Sequence, residues 1–260
     1  MTRSISLIAL LFAAHSAFAG ITYQFTSETS GMRSQTIKGT VLVEGPRMRI
    51  DFTTGDGMLF ANGSRAISSD GGNTLTVADP RAKTFYTIDL GAILGGPDSV
   101  VRQMGGLLKF DVRNPKVSVS DRGAGPAIEG YATRRSAISN SYDMVVDAMG
   151  QKMTIGMSVA TDVWWTDRLS AEYTNFLQAR GVKTGIAALD KHLEAQSAMI
   201  KGFPLRQVTT TNIVMNGKAM KSTSTSNVSA IRKLTIAPAE FAIPAGYKKV
   251  ASPMEKLTGK

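Results

Sequence analysis

Lys152–Val159, which reads KMTIGMSV, shows the clearest two-residue alternation in the chain. Apolar residues occupy every second position, and polar or small residues occupy the positions between them. Because successive side chains of a β-strand point to opposite faces, this period of two predicts a strand with one buried and one solvated face.

The same alternation recurs earlier, between Gly20 and about Asp89. Turn signals separate these stretches, and Asn62-Gly63 is the strongest because both residues tolerate the positive φ of a tight hairpin turn. Asn216-Gly217 predicts another hairpin turn later in the chain. Consecutive short strands joined in this way predict an antiparallel sheet. Its core-facing residues in two of the strands would be Ile21, Tyr23, Phe25, Met48, Ile50 and Phe52, with Arg47, Arg49 and Asp51 on the wet face.

Apolar residues recur at helical spacing from about Leu169 to Lys201, and this predicts two helices between strands. A short helix is also predicted between Gly91 and Gly106. The Ser/Thr-rich stretch Ser222–Ser229 favours an edge strand over a linker, because threonine is a good strand former. The apolar residues that mark the two later helices are Leu169, Tyr173, Phe176, Leu177, Ile186, Leu189, Leu193 and Ile200.

The first residues have the order of a signal peptide: a positive start at Arg3, an apolar run over Ile5–Ala14, and Ala17-Phe18-Ala19 before Gly20. The apolar run is shorter than the roughly 20 residues that span a bilayer. We therefore expect a signal peptide over residues 1–19, cleaved between Ala19 and Gly20, and a single mature domain over residues 20–260. We expect this protein to be periplasmic or secreted, without a transmembrane segment, and not a lipoprotein, since glycine follows the cleavage site.

Composition narrows the function classes. The chain has no cysteine, so its stability must come from its core. Its formal net charge of +10 is spread along the sequence, with tight basic pairs such as Arg134-Arg135 and Lys248-Lys249. No basic stripe interleaved with aromatic residues appears, so we expect no nucleic-acid partner. The positive charge is still compatible with attraction of the protein to anionic lipid headgroups.

No constellation of catalytic or metal-binding residues is evident. His192 is the one histidine beyond the expected signal peptide, and no nucleophile motif accompanies it. Met149, Met153 and Met157 could suggest copper, but residues four apart on a strand lie about 13 Å from each other. We therefore expect no enzyme, cofactor or metal, and a core or cavity lining explains the methionines better.

Trp164-Trp165 stands where the strands give way to the predicted helices. One of two adjacent strand tryptophans must face the wet side unless something covers it. The cover could be the helix pair, the protein wall or a bound apolar ligand.

Several short motifs occur in a distinctive order: Val41–Arg49, Ala78-Asp79-Pro80, Ile128–Tyr131, Val163–Thr166, Gly202–Leu205 and Phe241–Tyr247. In this order they resemble an uncharacterised family of exported bacterial proteins, a domain of unknown function. That family is similar in plan to the periplasmic lipoprotein-localisation carrier. The resemblance implies a strongly curved antiparallel sheet, an unclosed half-barrel, with acyl chains held between its concave side and covering helices. It assigns no catalytic or binding residue.

The expected fold is thus mainly β (α+β), a half-barrel with helices on its concave side. The expected function is a non-enzymatic envelope carrier or binding protein for a lipid, a lipoprotein or another apolar molecule. The alternatives are an envelope protein–protein interaction scaffold with a filled core and, last, a hydrolase that uses unrecognised carboxylates. A carrier needs roughly 300–1,000 Å³ of connected apolar space, which a filled core lacks. The candidate residues that line this space are Trp165, Phe176, Leu189, Leu193 and Ile200.

Overall fold

Twelve β-strands form the protein's one described sheet. The computed structural model describes residues 20–32, 34–55, 60–89, 108–148, 150–174, 202–253 and 255. The strands are β1 (Gly20–Gly31), β2 (Gln35–Glu44), β3 (Arg47–Thr54), β4 (Arg65–Ser68), β5 (Thr74–Asp79), β6 (Thr84–Asp89), β7 (Leu108–Ile128), β8 (Tyr131–Ala148), β9 (Gln151–Thr166), β10 (Phe203–Met215), β11 (Lys218–Leu234) and β12 (Lys248–Lys249).

The sheet consists of two antiparallel meanders joined side by side. Strands β1 to β6 follow one another across one half, and β7 to β11 follow one another across the other half. The two halves meet where β1 pairs with β11, with Phe25 opposite Val228. The two-residue β12 adds a parallel pair to β6. Among the described strands, β7 and β12 are the edges and do not pair with each other, so the sheet is unclosed. The predictions of a mainly β fold and an antiparallel, unclosed sheet are confirmed.

The main core lies on one face of the sheet, which we call the inner face. Cross-strand neighbours on this face include Tyr23, Val41 and Ile50, each at most 1 % exposed. Aromatic rings extend the core, with Tyr23 and Phe203 edge to face at 5.2 Å between ring centroids. The alternation of apolar and polar residues in β1 and β3 therefore predicted the buried face correctly.

The opposite, outer face of β2 to β4 is covered by the chain's C-terminal segment. Ile236 and Phe241 pack there against Ile67 in a second, smaller core. Arg49 forms ion pairs with Asp51 and with Glu240 of this segment, and its side chain is only 11 % exposed. Although Arg49 was expected on a solvated face, the covering segment buries it, and paired carboxylates compensate the buried charge.

The predicted covering helices are not found among the described residues. After β9, the chain forms a short 3-10 helix at Ala171–Tyr173 in place of the helix expected from Leu169. Two tertiary contacts fix this segment: Leu169 is buried in the main core, and the Tyr23 hydroxyl donates a hydrogen bond of 3.0 Å to the Tyr173 carbonyl oxygen. The rest of both predicted helices, and the helix expected between residues 91 and 106, lie outside the described residues.

Two connections illustrate how local chemistry sets the turns. Asn216-Gly217 joins β10 to β11 with φ angles of 50° and 73°, as the hairpin signal predicted. Between β4 and β5, the Asp70 carboxylate accepts hydrogen bonds from the Ser68 hydroxyl and the Thr74 amide. Partial desolvation raises the pKa of Asp70, but these hydrogen bonds outweigh it and hold the pKa below its ordinary value of 3.8.

The Ser/Thr-rich stretch Ser222–Ser229 is a strand, as expected, but it is not at an edge. It lies within β11, which is hydrogen-bonded to β1 on one side and to β10 on the other. Edge and interior strands have similar local sequences, and the long-range pairing with β1 decides the position.

Candidate functional site

The central part of the inner face of the long strands β8 to β11 is uncharged. In β8 the inner-face positions run from Ser136 to Val146, and no described residue among them carries a charge. The same holds for their partners between Met153 and Val163, between Gln207 and Met215, and between Met220 and Val228. The outer face of these strands, in contrast, carries Arg135, Asp143, Asp147, Lys152, Asp162, Arg206 and Lys221.

Charged residues border this uncharged stretch on the inner face. Asp121 of β7 stands opposite Ser136 and forms an ion pair with Arg134, with both side chains more than half exposed. In β11, Lys218 stands opposite Met215 and Lys233 stands opposite Ile21, near the two ends of the strand. The face is thus a surface that solvates a charged group poorly but contacts a neutral one well.

Hydroxyl and amide side chains cross the middle of this face from β1 to β8. Several hydrogen-bond to each other across the strands, including Thr161 with Thr209 at 3.1 Å and Thr29 with Ser224 at 3.1 Å. Gln207 donates to Thr209 at 3.4 Å. We call this group the polar belt, and it consists of Ser27, Thr29, Ser136, Asn140, Thr161, Gln207, Thr209, Thr211, Ser222, Ser224 and Ser226.

A cavity of about 290 Å³ opens between the main core and the polar belt. Phe25 and Ile37 supply its apolar wall. Its remaining lining comes from belt residues, namely Ser27, Gln207, Thr209, Ser224 and Ser226. The volume lies just below the range of roughly 300–1,000 Å³ for ligand pockets, and the lining is mixed where the expected carrier space was apolar; such a lining suits a molecule with both apolar and polar parts.

Two amide side chains lie near the belt, and one of them has a buried nitrogen without a partner among the described residues. The Gln35 Nε2 atom is buried and unpaired. Gln35 lies opposite Thr29, at the β2 side of the belt. Asn140, on the inner face of β8, is 8 % exposed. An unpaired buried amide costs about 1–3 kcal/mol, so the Gln35 amide would gain from a ligand atom that completes its hydrogen bond.

Beyond the belt, toward the far ends of the long strands, the inner face becomes apolar again. This methionine patch consists of Met144, Met153, Ile155, Met157, Ile213, Met215 and Met220, all half-buried. Flexible thioether side chains adapt to ligands of varied shape. Met153 and Met157 share this face, as predicted, whereas Met149 lies outside the described residues. No cluster of three potential His, Cys, Asp or Glu metal ligands occurs in the described part of the chain.

The two adjacent tryptophans point to opposite faces. Trp165 is on the inner face, 8 % exposed, and its Nε1 donates a hydrogen bond of 3.0 Å to the Ser136 hydroxyl. Trp164 is on the outer face between its cross-strand neighbours Arg135 and Arg206. Their guanidinium carbons lie 5.0 and 5.2 Å from the centroid of its ring. Guanidinium groups thus shield the wet-side tryptophan through cation–π contacts.

Among the predicted lining residues, the structure describes Trp165 and places it on the inner face beside the polar belt. Phe176, Leu189, Leu193 and Ile200 lie outside the described residues, and so does His192. The belt itself leaves no signal in the sequence, because hydroxyl residues occur on both faces of β10 and β11 and show no period of two. Among the described residues, no helix has the length and hydrophobicity to cross a bilayer.

No protein-family profile matches the sequence, and no curated protein matches it significantly. Solved structures similar to this chain include an uncharacterised conserved protein from Thermus thermophilus (9 % identity, 90 % of this chain and 91 % of that chain, TM-score 0.39). Another is a LolA superfamily protein from Nitrosomonas europaea (9 % identity, 86 % and 90 %, TM-score 0.31). A third is the MucA/MucB complex from Pseudomonas aeruginosa (9 % identity, 84 % and 95 %, TM-score 0.21). A LolA superfamily protein is thus among the structures to which this chain is similar, as the motif order predicted.

Proposed function

We propose that this chain is a non-enzymatic carrier or binding protein that holds a lipid or another apolar molecule on its inner face. The observation that carries the proposal is the continuity of an uncharged surface from the buried core, through the 290 Å³ cavity, to the methionine patch. Burying an unpaired charge is costly, whereas apolar contact is favourable by about 25 cal/mol per Å². Such a surface suits an apolar guest.

The proposal includes an exported location, because the first 19 residues have the order of a cleavable signal peptide. An envelope protein works between membranes, where lipids and lipoproteins need protection from water. The partner would therefore be an acyl chain, a lipid or a lipoprotein.

A charge placed in the cavity tests this function. Ser226 faces the cavity. Thr225, the residue before it, faces outward opposite Glu28. Ser226→Arg should weaken binding of the neutral fluorescent probe N-phenyl-1-naphthylamine at least tenfold, because the charge must be desolvated when the probe binds. Thr225→Arg is the matched control and should leave probe binding unchanged. If the delipidated parent protein does not bind the probe, the carrier function is wrong.

The second candidate is an envelope interaction scaffold, and the filled half of the core favours it. Ile21, Ile50 and Leu75 are fully buried, so this half leaves no room for a guest beside them. Native mass spectrometry of protein purified from its own cell envelope separates the two functions. A carrier should retain lipid-sized adducts that organic extraction removes. A scaffold should instead retain a protein partner and show no lipid adduct.

A further inference from the structure

We infer that the ligand of the inner face is an amphiphile with an uncharged, hydrogen-bonding polar group, such as an ester, an amide or an alcohol, attached to an alkyl chain. This inference rests on the proposed carrier function and specifies its ligand class. The polar group would lie against the polar belt, and the chain would extend over the methionine patch or the cavity's apolar wall.

The order of side chains along the strands positions such a molecule. In β9, Thr161 belongs to the belt, and the half-buried Met153, Ile155 and Met157 follow on the same face toward the far end. In β10, Gln207, Thr209 and Thr211 of the belt are likewise followed by Ile213 and Met215. The polar-to-apolar order therefore runs in the same direction in adjacent strands. A guest that matches it has one polar region and a long apolar region.

The buried amide side chains specify the chemistry of the polar region. The buried Gln35 Nε2 atom is a donor without a partner, and a carbonyl oxygen would satisfy it. Asn140 offers both a donor and an acceptor, and its side chain is more than nine-tenths buried. Esters and amides present carbonyl oxygens, and alcohols present both a donor and an acceptor. The belt's hydroxyl groups can serve either role because the hydroxyl hydrogen rotates.

The absence of charge on the inner face around Asn140 disfavours a charged head group at this part of the belt. A carboxylate or an ammonium placed beside Asn140 would lose its hydration without meeting an opposite charge. Asp121 of β7 stands opposite the belt residue Ser136 but is already paired with Arg134, and Lys218 and Lys233 lie toward the strand ends. Neutral dipoles offset only part of the cost of a buried charge, so a neutral head group is preferred.

Three amphiphiles with the same fourteen-carbon chain test the inference: monomyristoylglycerol, myristate and tetradecyltrimethylammonium. Each would displace N-phenyl-1-naphthylamine from the delipidated full-length mature protein, below its critical micelle concentration. We expect the neutral glycerol ester to displace the probe at a concentration at least tenfold lower than either charged ligand. Displacement by myristate at an equal or lower concentration would overturn the inference while leaving the carrier function intact. Failure of the probe and of all three ligands to bind would instead refute the carrier function.

A matched pair of variants checks that the preference arises in the belt. Gln207 lines the cavity on the inner face, and Val208 lies on the outer face opposite Asp162. Gln207→Lys supplies the missing counter-charge and should improve displacement by myristate at least tenfold relative to the glycerol ester, whereas Val208→Lys should not. If Gln207→Lys does not fold, Asn140→Asp with Ser139→Asp as control should shift the preference toward the ammonium ligand. Unchanged selectivity in a folded inner-face variant would overturn the inference.

Discussion

Two valine-to-alanine substitutions distinguish a packed core from a ligand-accessible surface. Val41 lies in the filled half of the sheet between Tyr23 and Ile50 and is 0 % exposed. Val159 lies on the inner face of β9, directly opposite Asn140, and is only half-buried. Both changes remove the same two methyl groups from a β-strand. The difference between their losses of unfolding free energy therefore reflects how closely each valine is packed.

The expected magnitudes follow from burial. At about 0.8 kcal/mol per buried carbon, Val41→Ala loses about 1.6 kcal/mol of transfer free energy. The closed void that remains adds up to about 1 kcal/mol, so the free energy of unfolding should fall by about 1.6–2.6 kcal/mol. Val159 buries less apolar surface area, and its replacement by alanine leaves no closed void. Val159→Ala should therefore cost about 0.5–1 kcal/mol.

Urea unfolding of delipidated protein measures both values, and titration with N-phenyl-1-naphthylamine measures binding. With an m-value near 3 kcal/mol/M, Val41→Ala should lower the unfolding midpoint by about 0.8 M and leave probe affinity unchanged. Val159→Ala should barely move the midpoint but should weaken probe binding. Equal stability losses for the two variants, with no change in binding, would show that the inner face of β9 is a filled core. That result would refute the carrier function.

Two further predictions concern export and pH. Ala19→Arg should block removal of the signal peptide because signal peptidase accepts only small residues at this position, and N-terminal sequencing of the parent protein should begin at Gly20. The Asp70 carboxylate has a lowered pKa in the folded state, so its contribution to stability is present above its unfolded pKa and is lost as the pH falls through the folded value. The stability difference between the parent and Asp70→Asn, measured by urea unfolding, should therefore be largest near neutral pH and should vanish in strong acid; a difference that persists there would contradict this role.

The local sequence accounts for the strands and for the side of each strand that is buried. Alternation at Met48, Ile50 and Phe52 predicted inner-face positions correctly, and Asn216-Gly217 predicted a hairpin correctly. These features depend on the two-residue period of a strand and on the φ preferences of a turn, and a few neighbouring residues record both.

Other features depend on residues that are far apart in the chain. The pairing of Phe25 with Val228 makes β11 an interior strand, and Glu240 covers Arg49 on a face that local alternation predicted to be wet. The polar belt likewise exists only because β1, β8, β9, β10 and β11 align their hydroxyl and amide residues in register. The sequence alone determined which residues share a face of each strand. The tertiary structure decided which strands lie side by side, because that choice depends on the free energy of packing the whole core and leaves no local pattern.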